Sequence, residues 1–281
     1  MNSESLGTYF QNQSARIEQA LDQLLPKPSQ HLAQIHEAMR YAVLNGGKRI
    51  RPLLCLAVCQ MLGGDETEAL IPACAVELIH SYSLIHDDLP CLDNDEFRRG
   101  QLTCHKKFGE AIALLAGDAL LTLAFHLIST LKDSRKVHRL LAEISRAGGT
   151  FGMVGGQVMD ISIDKDEIDL PTLDAIHIHK TGQLIKTSCL AGAIMAETQE
   201  EEENHILKFG EYLGFAFQIV DDILDGDGYL RFMSAHDARA KAREAVAQAK
   251  KELKNFPNNS RLMQLSDFVL SRGTEENELH P

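Results

Sequence analysis

Two long apolar runs of helical period each end in a knot of aspartates, so the fold must carry dense negative charge at the ends of core-forming helices. The knots are Asp87-Asp88-Leu-Pro-Cys-Leu-Asp93 and Asp221-Asp222-Ile-Leu-Asp225. Carboxylates placed this way repel one another and are costly to desolvate unless cations stand between them. All-oxygen donor sets suit Mg²⁺, which binds through one or two carboxylates and completes its shell with water and phosphate oxygens. A solvated helix end would account for either knot alone. It accounts poorly for two, and the pair points to a diphosphate held through magnesium.

The spacing around each knot is helical. His80, Leu84, Asp87 and Asp88 recur at i, i+4, i+7 and i+8, which puts the imidazole and both carboxylates on one face. Pro90 then disrupts the helix, and Asp93 returns from a turn. Asp221 and Asp225 are i, i+4 neighbours with Gln218 one turn earlier, and acidic pairs at that spacing destabilise a helix without a counter-charge.

The rest of the chain is also helical in period. Residues 30–45 align Leu32, Ile35, Met39, Ala42 and Val43 before Gly46-Gly47 ends the run. Run 51–62 follows, with Pro52 near its first turn, where proline is tolerated. Runs 67–88 and 109–132 are long and apolar, and shorter ones cover 134–146 and 151–163. Runs 171–197 and 202–225 complete the apolar set, while the Ala-, Lys- and Arg-rich stretch 235–255 reads as a solvated surface helix. No alternating strand, repeat or linker stands out. The expected fold is all-α, one helical domain over residues 1–281.

Composition narrows the partners. A net charge of −12 and a pI near 5.4 argue against nucleic acid, which needs a basic face. No unbroken apolar run reaches about 18 residues, and the polar start MNSESLGTYFQNQS does not read as a secretory signal, so no membrane span is expected. The six cysteines show no CxxC pair, which fits reduced, buried thiols in a cytoplasmic protein. Cys91, inside the first knot, reads as filler or as a reactive thiol.

Cations gather near glycines. Gly46-Gly47-Lys48-Arg49-Ile50-Arg51 is one such turn, Arg98-Arg99-Gly100 follows the first knot, and Lys180-Thr181-Gly182 interrupts a helical run. Such groups can cradle phosphate oxygens, arginine in bidentate fashion. Lys48 and Arg49 could equally be helix C-terminal cations beside a glycine cap. Gly182 is harder to dismiss, because a mid-helix glycine costs about 1 kcal/mol relative to alanine. A kink or a close approach is expected there.

Taken in order, GGKRIRP (46–52), ELIHSYSLIHDDLPCLDNDEFRRG (77–100), GDALL (117–121), GGQVMDI (155–161), HKTG (179–182) and FQIVDDILD (217–225) resemble the motif set of trans-prenyltransferases, most nearly bacterial-type farnesyl diphosphate synthases. The resemblance spans roughly residues 30–225. It implies an all-helical isoprenoid-synthase fold around a central cavity, a homodimer, and head-to-tail condensation of isopentenyl diphosphate with an allylic diphosphate. Carried over, Asp87, Asp93 and Asp221 would ligate up to three Mg²⁺ ions, supported by Asp88, Asp222 and Asp225. Arg98, Lys180, Thr181 and Gln218 would hold the allylic diphosphate. Lys48, Arg51, His80 and Arg99 would hold isopentenyl diphosphate. Tyr82 and Ser83, five and four positions before Asp87, would form the floor that stops elongation, and an aromatic–small pair there goes with farnesyl diphosphate.

The resemblance breaks after Asp225. The family pattern continues through a longer loop whose lysine binds the allylic diphosphate, before a Ser/Thr-Tyr-Pro signature. Here DGDGYLRFM follows directly; Tyr229 aligns with the tyrosine, and the lysine has no counterpart. Either the loop is deleted or the sequence omits it, and omission predicts a break in the backbone between Asp225 and Tyr229. A true deletion leaves open a weakly active or non-catalytic diphosphate-binding homologue. A geranylgeranyl diphosphate synthase and a diphosphate hydrolase compete with the farnesyl reading as well.

Overall fold

The computed structural model describes residues 6–29, 31–164 and 167–273. The first five residues of the polar N-terminal stretch lie outside them. The described residues are overwhelmingly helical, as the periodicity predicted, and fall into two compact units, one within 6–53 and 70–138, the other within 54–69 and 139–273.

The first unit holds α1 (Leu6–Leu24), α2 (Ala33–Leu44), the opening of α3 (Ile50–Met61) and most of α4 (Glu66–Asp87). A two-stranded hairpin follows, β1 (Phe97–Arg98) against β2 (Gln101–Leu102), then α5 (Cys104–Phe108) and α6 (Glu110–Ser129). The strands are too short for any alternation to show in sequence. The α2 helix packs on α1, α5 and α6. Leu53, Val76, Leu78, Ile79 and Leu120 are fully buried and form part of this unit's core.

The second unit contains α7 (Ser134–Gly148, apart from its first turn), α8 (Met153–Ser162), α9 (Leu170–His177), α10 (Gln183–Ala196), α11 (Glu200–Asp225), α12 (Ala235–Glu252) and α13 (Ser260–Ser271). Its axis is α11, which packs on α10, α12 and α13. Sequence fixes both ends of that helix. Gln199 and Glu202 form a reciprocal capping box, and Glu200 to Glu203 crowd the first turn, where the helix dipole favours anions. Gly226, left-handed at φ +71°, ends it. The α12 helix is solvated on one side only, because Ala238, Ala242, Ala245, Val246 and Ala249 are buried.

Run 171–197 is broken where Lys180-Thr181-Gly182 was expected to interrupt it. Ile178–Gly182 is a π-helical turn between α9 and α10. The tight position facing it is Gly214 of α11, where a Cβ would come within 3.1 Å of the Gly182 Cα, whereas a Cβ on Gly182 would meet only the His177 carbonyl oxygen at 3.5 Å.

By length and composition α4 and α6 are both apolar enough to cross a membrane, because an average over a helix tolerates the one or two charges that interrupt a run. The α4 window is 67% buried inside the protein, as a core helix would be, and that of α6 39%.

Candidate active site

The first aspartate knot sits where α4 ends. Pro90 cannot continue the helix, so the chain folds back and the Asp93 N–H donates to the Asp87 carbonyl oxygen at 2.9 Å. Asp87 is half-buried and Asp93 exposed at the lip of this turn. Asp88 faces inward at 3% exposure, and its Oδ1 accepts from Arg98 Nε at 2.7 Å and pairs with Nη2 at 2.5 Å. Burial raises the Asp88 carboxyl pKa, against the pull of Arg98. Arg98 also reaches Asp95 at 3.3 Å, so the cation expected to hold a substrate anion is shared with the knot itself.

The glycine turn before α3 gathers the second set of cations. Gly46 (φ +75°) follows the end of α2 as a cap would, and Gly47 (φ +124°) bends the chain towards Lys48. Arg99 is itself left-handed, and its Nη1 donates to the Gly46 carbonyl oxygen. A Cβ on Gly47 would lie 2.7 Å from that guanidinium, so glycine lets Arg99 in. Burial first, then the charges of Arg51, Arg99, Arg49 and Arg98, holds the His80 imidazole well below its usual pKa. Arg51, His80 and Arg99 are therefore brought together, with exposed Lys48 on the same turn. Arg49 plays another part: buried at 3% exposure, it binds Glu18 (2.6 Å), Glu77 (2.7 Å) and the Val43 carbonyl (2.5 Å), fixing the turn.

The second knot occupies the last turn of α11, the negative end of the helix dipole, where carboxylates are disfavoured without a cation. Asp222 is buried and saturated. It accepts from Gln218 Nε2 (3.0 Å) and from the Tyr229 N–H (2.9 Å), and lies 3.0 Å from His177 Nε2. The His177 ring stacks on Tyr229 at 5.5 Å, and the Tyr229 hydroxyl donates to Asp174. Asp221 is half-buried and pairs with Arg272 at 2.6 Å. Burial and neighbouring Asp222 raise the Asp225 carboxyl, opposed by Arg272. On the π turn, Lys180 Nζ donates to Asp160 of α8 at 2.6 Å, and Thr181 is half-buried.

The backbone runs on without a break after Asp225. Asp227 N–H donates to the Asp222 carbonyl at 3.2 Å, and Gly228 at φ +57° turns the chain into a short 3-10 helix, Gly228–Arg231. A Cβ on Gly228 would collide with the Asp222 carboxylate. Two left-handed glycines therefore close the link in three residues, with no lysine. Gln218, expected on the allylic diphosphate, is committed to this closure.

Sequence reasoning missed Asp160, His177 and Arg272. Asp160 lay inside the GGQVMDI run and could have been paired with the lysine of HKTG. His177 and Arg272 carried no signal, because their partners are 45 and 51 residues away.

The described residues are overwhelmingly helical, with an aspartate knot at the end of α4 and another at the end of α11 and cations set beside glycines. The polyprenyl synthetase family model matches residues 32–229, and the chain belongs to that family. It is 38% identical to a geranylgeranyl diphosphate synthase of Cyanophora paradoxa, over 95% of this chain and 97% of that one. It is 46% identical to the large subunit 1 of a heterodimeric geranylgeranyl pyrophosphate synthase of Arabidopsis thaliana, over 78% of this chain but only 60% of that relative's length. Among solved structures, an FPP/GFPP synthase from Zymomonas mobilis superposes with a TM-score of 0.90 at 37% identity, covering 94% of this chain and 98% of that one.

Proposed function

We propose that the protein is a trans-prenyl diphosphate synthase that condenses isopentenyl diphosphate head to tail with dimethylallyl and geranyl diphosphates, giving farnesyl diphosphate. The observation that carries this reading is the division of labour inside each aspartate knot. Asp88 and Asp222 are buried among protein partners, whereas Asp87 and Asp221 are half-buried, Asp221 beside Arg272, and Asp93 is exposed. Among the described residues no three His, Cys, Asp or Glu side chains form a ready-made metal cage. Separate carboxylates suit Mg²⁺, which keeps waters and takes the rest of its shell from a diphosphate. Bound there, Mg²⁺ supplies charge stabilisation for departing pyrophosphate.

The chain's own residues do the rest. Lys180 and Thr181 on the π turn orient the allylic diphosphate. Lys48, Arg51 and Arg99 hold isopentenyl diphosphate, and His80, kept neutral, adds a hydrogen bond without a fourth charge. Fixed cations around both anions give positioning and electrostatic stabilisation, with no protein nucleophile needed. A hydrolase would have little use for this second cation set. All six cysteines are free thiols, which supports a reducing compartment such as the cytoplasm. Leu114 and Leu115 of α6, 47% and 50% exposed, support a homodimer in which a second copy covers them.

Chain length rests on Tyr82. It is 5% exposed, its ring packs edge-on against His86 at 5.7 Å, and burial with nearby Asp87 pushes its hydroxyl pKa up to about 12. His86 Nε2 lies 3.1 Å from the Leu114 carbonyl of α6, so the floor is backed by a second helix, while Ser83 beside it donates to the His80 carbonyl. A product of twenty carbons is the second reading, favoured by the name of the Cyanophora relative. Chromatography of the products from labelled isopentenyl diphosphate decides between them. Fifteen-carbon product from wild type, lengthened by Tyr82→Ala, is expected; mainly twenty-carbon product from wild type, or no change in the variant, would refute the floor.

A further inference from the structure

Arg272 stands at the second knot, just past α13, and no sequence motif pointed to it. Its guanidinium carbon lies 4.5 Å over the Phe217 ring, and its Nη2 is 2.6 Å from Asp221. It is also felt by Asp225, so it spans a stripe of α11 at i, i+4 and i+8. The backbone that delivers it is fixed: Arg239 Nε donates to the Gly273 carbonyl at 2.9 Å, and a Cβ on Gly273 would already touch Val220 at 3.3 Å. The side chain is only 12% exposed, and its Nε and Nη1 have no hydrogen-bond partner among the described residues. Buried guanidinium N–H groups without acceptors are costly, so the site is short of acceptor oxygens.

We infer that Arg272 is a diphosphate-binding residue, supplying at the second knot a cation that the short turn after Asp225 does not carry. In the metal-free protein its guanidinium neutralises Asp221. With Mg²⁺ held by that carboxylate, the guanidinium, kept over Phe217, would be free to donate to the oxygens of a diphosphate. Arginine suits the task, being permanently charged and able to bind two oxygens at once. The inference rests on the proposed function, because it takes the second knot to receive a magnesium diphosphate.

Calorimetric titration of inorganic pyrophosphate in saturating Mg²⁺ tests it. R272Q is expected to weaken pyrophosphate binding about tenfold, or about 1.4 kcal/mol, and R272K to recover most of the loss. R272Q should bind Mg²⁺ alone at least as tightly as wild type, since it removes a competitor, an outcome that general misfolding would not give. A second readout uses the wild-type protein only: modification of Arg272 by phenylglyoxal, followed by mass spectrometry. Mg²⁺ alone should raise its reactivity, and Mg²⁺ with pyrophosphate should suppress it. Wild-type binding of pyrophosphate with R272Q equally tight, or Arg272 reactivity equal in all three states, overturns the inference and leaves the proposed function standing. Wild type that binds no pyrophosphate even with Mg²⁺ overturns both.

Discussion

The two aspartate knots look alike in sequence and are wired in opposite ways. In the first, the arginine of β1 goes to the buried middle carboxylate, Arg98 to Asp88. In the second, the middle carboxylate Asp222 is satisfied by His177, Gln218 and the Tyr229 N–H, and the arginine goes to the leading carboxylate, Arg272 to Asp221. The difference follows from what comes next in the chain. After Asp88 a hairpin returns a cation to the knot, whereas after Asp225 the chain closes in three residues and brings none. A buried carboxylate must be paired or hydrogen-bonded wherever it stands. Each knot therefore has one aspartate that builds the site and others left at its rim.

The comparison breaks most visibly at Asp222. Asp222→Ala strips the acceptor from a buried N–H and an amide, so a loss of about 2–4 kcal/mol of stability is expected. Gly228→Ala should cost about 1–2 kcal/mol, since it must hold φ near +57° and also displaces the Asp222 carboxylate. Denaturant unfolding measures both. Two variants as stable as wild type would mean that the closed turn is not what Asp222 holds.

A smaller effect sharpens the comparison on the cation side. Lys180→Ala should raise the KM for the allylic substrate by roughly tenfold, the scale of one charge-assisted hydrogen bond. Lys48→Ala and Arg99→Ala should act on the KM for isopentenyl diphosphate instead. Initial rates with each substrate varied in turn check this. Equal effects of all three on both substrates would contradict two separate anion sites.

Much of this was legible in sequence because local spacing carries it. The aspartates, the glycine turn and the break at Lys180-Thr181-Gly182 are patterns within a few residues, and the structure places them as the periodicity implied. Asp88 and Asp222 could not be told from their neighbours, because burial depends on which helix packs against that face. Arg272 and His177 meet their partners across some fifty residues of chain, with no spacing rule to reveal it. The short link after Asp225 was visible as a departure, but its remedy was not. That required seeing Gly228 pressed against Asp222 and Tyr229 buried beneath His177.

Removing the metal and the rim carboxylates together tests the central claim most directly. Turnover of isopentenyl diphosphate with geranyl diphosphate should be abolished by EDTA and restored by Mg²⁺. Asp87→Ala and Asp221→Ala should each lower it by about 10²-fold or more at saturating Mg²⁺, the scale of losing one pre-set stabiliser of developing charge. Asp87→Ala should unfold no earlier than wild type, because it removes a carboxylate from a repelling group, whereas Asp221→Ala should lose some stability, because it leaves the largely buried Arg272 without its carboxylate. Near-normal turnover by either variant, or by the wild-type protein in EDTA, would contradict the account.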